Sequence, residues 1–194
     1  EIDFAKPYFT CVGAAQTYGC LVEKPYPTLL SEQLQLPVLN LGIGSAGPSY
    51  FLKHPTLLSH INNGSLAVVQ IMSGRSMHNA FFETKNGGLP LIRIHDGKEM
   101  TATQAYTWLR EQYDERFIQK IVEETQQNWI QSYKELLQSI TVPTILLWFS
   151  TRTPDFTPSF ETVQSIMGNF PHMVTRNMVE AIIPHADSYT ECTT

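Results

Sequence analysis

The chain has 194 residues, a formal net charge of −5, 42% apolar residues and only 16% charged ones. That length suits one domain with a sizeable core, and so dilute a charge leaves no densely basic face for nucleic acid. No run approaches the roughly 18 apolar residues that span a bilayer, and no secretory-signal pattern opens the chain.

The first residue is Glu1, which fits a piece of a longer polypeptide. The three cysteines, Cys11, Cys20 and Cys192, form no Cys-x-x-Cys pair. So sparse a set points to a reduced, cytoplasmic protein, with Cys20 expected as a small buried residue.

In chain order, strands are predicted at Tyr8–Val12, Val38–Leu41, Leu66–Met72, Leu91–Ile94 and Thr144–Phe149. The third and fifth are near-continuous apolar runs, as in strands buried on both faces of a parallel sheet. Helical spacing fills the gaps at Pro27–Gln35, Pro48–His60, Thr103–Ser139, Phe160–Met167 and Val174–Ile182. Alternating strands and helices predict a three-layer α/β/α sandwich around a mostly parallel sheet of about five strands. The whole chain, 1–194, reads as one such domain. Segment 79–102 is less regular. Its Asn86-Gly87 and Asp96-Gly97 pairs are turn chemistry, so it reads as an inserted hairpin, lid or interface before a long helical region at 103–139.

Two strands run straight into glycine turns: Gly13-Ala14-Ala15-Gln16-Thr17, and Asn40-Leu41-Gly42-Ile43-Gly44-Ser45. Ligands of open α/β sheets bind outside the carboxyl ends of the strands, so both turns are expected to line one site. Ser73-Gly74-Arg75-Ser76 follows the third strand, with Asn79 just beyond, and Asn169-Phe170-Pro171-His172 precedes the last helix. An unpaired guanidinium at a strand end is costly. Arg75 therefore either pairs with Asp155 or Glu23 or binds an anion. Arg152 and Asp155, after the last predicted strand, read as a mutual salt bridge or as a second anion clamp. Gln16 and Thr17 read as turn-fixing residues or substrate contacts. Ser73 and Ser45 are either turn serines or spare hydroxyls. His185 is expected at the surface. His54, His60, His78 and His95 share no metal spacing, so neither metal nor cofactor is expected. Gly42-Ile43-Gly44-Ser45-Ala46-Gly47 matches a dinucleotide fingerprint, but Pro48 and the missing acidic residue argue against it.

The order of these four blocks resembles the SGNH, or GDSL-type, hydrolase superfamily. That resemblance implies a sheet in flavodoxin-like order, a nucleophilic Ser in the first block, backbone and side-chain oxyanion donors in the second and third, and an Asp-x-x-His pair in the fourth. Here Ala15 stands at the nucleophile position, Ala14 at the Asp, Arg75 at the donor Asn, and Asn169 at the last Asp. A closer resemblance is to the bacterial domain-of-unknown-function family DUF6473. It rests on Gly13-Ala14-Ala15-Gln16-Thr17-Tyr18-Gly19, on Asn40 to Pro48, on Ser73-Gly74-Arg75-Ser76 with Asn79, and on Phe170 to Val179. That resemblance implies an association with sulfotransferase or polysaccharide functions.

Two readings follow. In the first, the chain is a hydrolase or transferase that moves an acyl or related group on a hydroxylated or carbohydrate-like small molecule, with a possible anionic donor. His172 would be its base, Asn169 the orienter, and Arg75 with the amides at Gly44 and Ser45 the oxyanion holders. Ala15, Gln16, Thr17, Asn40, Ser73, Asn79, Arg152 and Asp155 would contact substrate. In the alternative, the chain is a catalytically degenerate module that binds an anionic or sugar ligand or a partner domain.

Overall fold

The computed structural model describes residues 2–193. In chain order the elements are β1 (Phe9–Gly13), α1 (Ala15–Tyr18), α2 (Tyr26–Leu34), β2 (Val38–Gly42), α3 (Pro48–Leu52), α4 (Pro55–Asn62), β3 (Ala67–Gln70), β4 (Phe82–Lys85), β5 (Gly88–Arg93), β6 (Glu99–Met100), α5 (Ala102–Gln112), α6 (Glu115–Ser139), β7 (Thr144–Ser150), α7 (Val163–Met167), α8 (Arg176–Ile182) and β8 (Ser188–Thr193).

Five strands make the central sheet in the order β2-β1-β3-β7-β8, and every neighbouring pair is parallel. This is the flavodoxin-like order expected from sequence. The pleat sends alternate residues to opposite faces. Val12, Val69, Leu146 and Trp148 pack against Phe51, Ile61, Trp129, Tyr133, Val179 and Ile182, which belong to α3, α4, α6 and α8. Phe9, Cys11, Val68 and Leu147 face the other way, against Tyr26 and Leu30 of α2. Helices thus cover both faces in three layers.

Two strand assignments change. Leu91–Ile94 is not part of the central sheet. It falls in β5, the middle strand of a separate antiparallel sheet ordered β4-β5-β6. The fifth central strand is β8, a parallel partner of β7 from Ile145↔Ser188 to Ser150↔Thr193. Its residues are almost all exposed, as an edge strand allows, and so carry no apolar run. Two predicted helices are each two. Pro55 lacks the N–H to extend α3. Asp114 caps α6 by accepting from Phe117 N–H, which separates it from α5.

The β4-β5-β6 insertion has its own apolar cluster. Phe82, Leu91 and Met100 pack against Tyr106 and Leu109 of α5, Ile118 and Ile121 of α6, and Ile166 of α7. The hairpin turn is Asn86-Gly87, with φ of 55° and 83°, the left-handed pair such a two-residue turn requires. The turn docks on the loop after β2: Gly47 N–H donates to Gly87 O at 3.1 Å and Leu89 N–H to Ser45 O at 3.4 Å. Cys11 is buried, but Cys20 is exposed because it lies in the bend between α1 and α2, off both core faces.

Candidate functional site

Five segments converge at the carboxyl edge of the sheet around a cavity of about 130 Å³. Ala14, Ala15 and Gln16 come from the turn into α1, Ser45 and Ala46 from the turn after β2, and Ser73, Arg75 and Ser76 from the loop after β3. Phe170 and His172 come from the loop before α8, and Leu89 from the hairpin.

The scaffold beneath is built from side-chain-to-backbone bonds. At the end of β3, Tyr133 of α6 accepts from Met72 N–H at 2.6 Å and donates to Gln70 O at 2.9 Å, while Trp129 donates to Met72 O at 3.0 Å. These two buried aromatics satisfy the backbone where the strand stops, which fixes the start of the Ser73 loop. Gln70 is fully buried. Its Oε1 accepts from Ala14 N–H at 3.1 Å and from Thr17 Oγ1 at 2.7 Å, which holds the first turn. A Cβ on Gly13 would overlap both Thr17 Oγ1 and Gln70 Oε1, so only glycine fits there. The second turn holds Ser45 at a φ of 67°, left-handed and uncommon for a residue with a side chain.

The polar centre is Ser73, His172 and Arg75. Gly74 N–H donates to His172 O at 2.8 Å and His172 N–H donates to Ser73 Oγ at 3.1 Å, so two loops 99 residues apart are bound together. The imidazole Nδ1 lies 3.0 Å from Ser73 Oγ, and Nε2 lies 3.2 Å from Arg75 Nη1. A guanidinium only donates. Nε2 is therefore the acceptor, the ring proton sits on Nδ1, and Nδ1–H donates to Ser73 Oγ. Burial, then the charges of Arg75 and Arg152, lower the His172 pKa to about 4, so the ring is neutral at pH 7. Burial also lowers the Arg75 pKa.

This tautomer decides what Ser73 can do. Its oxygen already accepts two hydrogen bonds from His172, so its own proton is directed elsewhere. His172 is in no position to take that proton at Nδ1, and the pair is not a nucleophile-base dyad. The cavity instead presents donors: the Ser73 hydroxyl and the remaining N–H groups of Arg75. Among the described residues no carboxylate forms an ion pair with Arg75.

Several residues expected at the site serve elsewhere. Thr17 is buried beneath the turn, bonded to Gln70 and Tyr26. Asn40 bridges β2 to α1, donating to Thr17 O and accepting from Gly42 N–H, both at 2.9 Å. Asn79 is buried at the base of the hairpin, where it donates to Thr125 Oγ1 and accepts from the amides of Phe81 and Phe82. Asn169 is exposed, and its carbonyl accepts from Arg152. The orienting partner of His172 is Ser73. Arg152 is no anion clamp: its guanidinium donates to the carbonyls of Asn169, Thr153, Pro171 and Val174. Asp155 pairs with Arg176 through two bonds of 2.8 Å, and with neither Arg75 nor Arg152. Gly44 is exposed in the second turn, beside the cavity-lining Ser45. Gln70, Trp129, Tyr133 and Leu89 are contributors that the motifs did not mark. An aromatic pair four apart on a long helix is the only sequence sign of Trp129 and Tyr133.

The protein is thus a three-layer α/β domain with a donor-rich cavity at the carboxyl edge of its parallel sheet. The chain belongs to the family described as Domain of unknown function (DUF6473), whose model matches residues 1–86 and 104–194. The stretch between, 87–103, holds β5 and β6. A crystal structure of a Lactobacillus plantarum protein, from a structural genomics consortium, superposes over 100% of this chain and 79% of its own. The identity is 15% and the TM-score 0.42. No curated protein matches the chain. No described helix is long and apolar enough to cross a membrane.

Proposed function

We propose that the cavity binds the anionic group of a small-molecule or carbohydrate-like ligand, a carboxylate, sulfate or phosphate, with Arg75 as its charge partner. One observation carries this reading: Arg75 is partly buried, lacks a carboxylate partner among the described residues, and rests on a neutral imidazole. A desolvated cation without a counterion favours an anion from outside. The volume of about 130 Å³ suits a head group of a few heavy atoms. Isothermal titration with sodium sulfate tests the reading. Saturable binding to the wild type is expected, weakened about tenfold or more in Arg75→Gln, since charge-assisted hydrogen bonds carry about 1.5–3 kcal/mol. Equal binding by both proteins, or binding by neither, would overturn it.

A second reading keeps the SGNH-like resemblance and makes the chain a group-transfer enzyme or hydrolase without a serine nucleophile. It is favoured by His172, Ser73 and Arg75 meeting in one cavity beside Ala15. In it, a substrate hydroxyl or water attacks the acyl carbon or sulfuryl sulfur directly as His172 Nε2 accepts its proton, the bond to the leaving oxygen breaks, and that oxygen departs as an alkoxide or phenoxide that takes the proton back from Nε2. Nitrophenyl acyl and sulfate esters would be turned over by the wild type and not by His172→Ala; equal rates would sink it.

A further inference from the structure

We infer that His172 is a base capped by Arg75, and that an anion bound to Arg75 removes the cap and lets Nε2 take up a proton. This rests on the anion-binding reading and adds a regulated group to the same site.

Three facts carry it. The only lone pair of the neutral ring in its plane is at Nε2, and Arg75 Nη1 occupies it. The other nitrogen is committed to Ser73, whose oxygen is held from two sides by His172 itself. The ring therefore stays where it is when Arg75 moves. The Arg75–His172 contact, at 3.2 Å, lies at the long end of hydrogen-bond lengths, and its acceptor is uncharged. Hydrogen bonds to an ionised acceptor are roughly twice as strong as neutral ones. An anion first meets the N–H groups of Arg75 that the imidazole leaves free, and as the stronger acceptor it draws the whole guanidinium onto itself and off Nε2.

The charge balance acts in the same direction. Around His172 the titratable neighbours are Arg75 on the loop after β3 and Arg152 after β7, both cations. The segments from the first turn, the second turn and the hairpin bring Ala14, Ala15, Gln16, Ser45, Ala46 and Leu89, none of them ionisable. Without ligand, a protonated ring would sit against an uncompensated cation. With an anion present, the same proton is attracted. Binding and protonation are therefore linked: each strengthens the other. A ligand that brings both an anion and a hydroxyl would arm the base only once it is seated.

The test is side-chain nitrogen NMR of the histidines, titrated in pH with and without sodium sulfate. In sulfate-free buffer the His172 Nε2 signal is expected to be unprotonated down to low pH, with Nδ1 carrying the proton. Saturating sulfate should raise its pKa by about one unit, the scale for an opposite charge at close range. Sulfate affinity should rise several-fold between pH 7 and pH 4, and that gain should vanish in His172→Gln. Sulfate that binds in an Arg75-dependent way yet leaves the His172 pKa unmoved would overturn the linkage and leave the anion site standing. Absence of any sulfate binding would remove both.

Discussion

His172 has a pKa of about 4, lowered by burial and then by Arg75 and Arg152. The unfolded chain binds a proton there near pH 6.5, and the native state binds it only near 4. Between those values the unfolded state holds more protons, so stability falls as pH falls through this window and is fully present above it. The ring is partly solvated, so the full conversion of the shift overstates the effect. A loss on the order of 1 kcal/mol remains after screening. Urea unfolding of the wild type and His172→Asn at pH 7.5 and pH 4.5 would show the wild type losing about that much more. Parallel losses would contradict the buried neutral ring. Arg75 and His172 were legible in sequence because each follows a strand or precedes a helix at the ligand edge of the sheet. Thr17, Asn40 and Asn79 share that neighbourhood, yet they serve the scaffold: Thr17 bonds Gln70 and Tyr26, and Asn40 and Asn79 bond backbone groups. Short polar side chains near glycine turns are what a bent backbone needs for its stray amides and carbonyls. Spacing alone does not separate that use from ligand contact. Gln70 was hidden for the opposite reason. It lies within an apolar strand, and its role exists only once α1 has folded over it.

The strands buried on both faces were read correctly, and so was the edge strand β2, whose apolar run feeds a glycine turn. β1, β3 and β7 declare themselves by composition, as near-continuous apolar runs. β8 was missed because an edge strand that is mostly exposed has no apolar signature. Leu91–Ile94 looked like a core strand because the insertion has a small core of its own. The turn pair Asn86-Gly87 was legible as a hairpin, but its destination was not. It lies against α3, and Leu89 beside it walls the cavity. This makes the hairpin a testable part of the site. Gly87 has a φ of 83°, and a Cβ there would overlap the backbone of Ser49 and Tyr50. Gly87→Val adds a β-branched side chain where neither the dihedral nor the space admits one. A cost of about 1–3 kcal/mol is expected, seen as a lower urea midpoint, with faster proteolysis within 82–100 before the central sheet is cut. A variant as stable and as resistant as the wild type would show that the hairpin does not depend on this docking.

At the scale of the molecule, the site depends on two distant loops meeting, and Arg152 holds one of them. From the end of β7 its guanidinium donates to Asn169 O, Pro171 O and Val174 O, which bracket His172, and to Thr153 O. Its guanidinium carbon lies over the rings of Trp148 and Phe156, 5.0 and 5.1 Å from their centroids. Ser150 extends the link by donating to Phe170 O at 2.6 Å. Loop 169–174 has no regular structure of its own, and Arg152 supplies partners for three of its carbonyls, while Ser150, Gly74 N–H and Gln126 serve Phe170 O, His172 O and Met173 O. Arg75 differs: it satisfies no carbonyl of that loop and faces the cavity. Two cations at one edge of the sheet therefore have separable effects. Arg152→Met keeps the apolar stem but strips the donors from four carbonyls. It should cost about 2–3 kcal/mol, in the range of hydrogen bonds to a charged group, and weaken sulfate binding by displacing His172. Arg75→Gln should weaken sulfate binding about tenfold or more while the urea midpoint stays near that of the wild type, because no backbone group loses its partner. Measuring both quantities for both variants separates the roles: Arg152→Met loses stability and binding together, Arg75→Gln binding alone. If Arg75→Gln were the less stable of the two, the buried guanidinium would be a structural tie and not a ligand group. The sheet edge would then have no free cation to offer an anion.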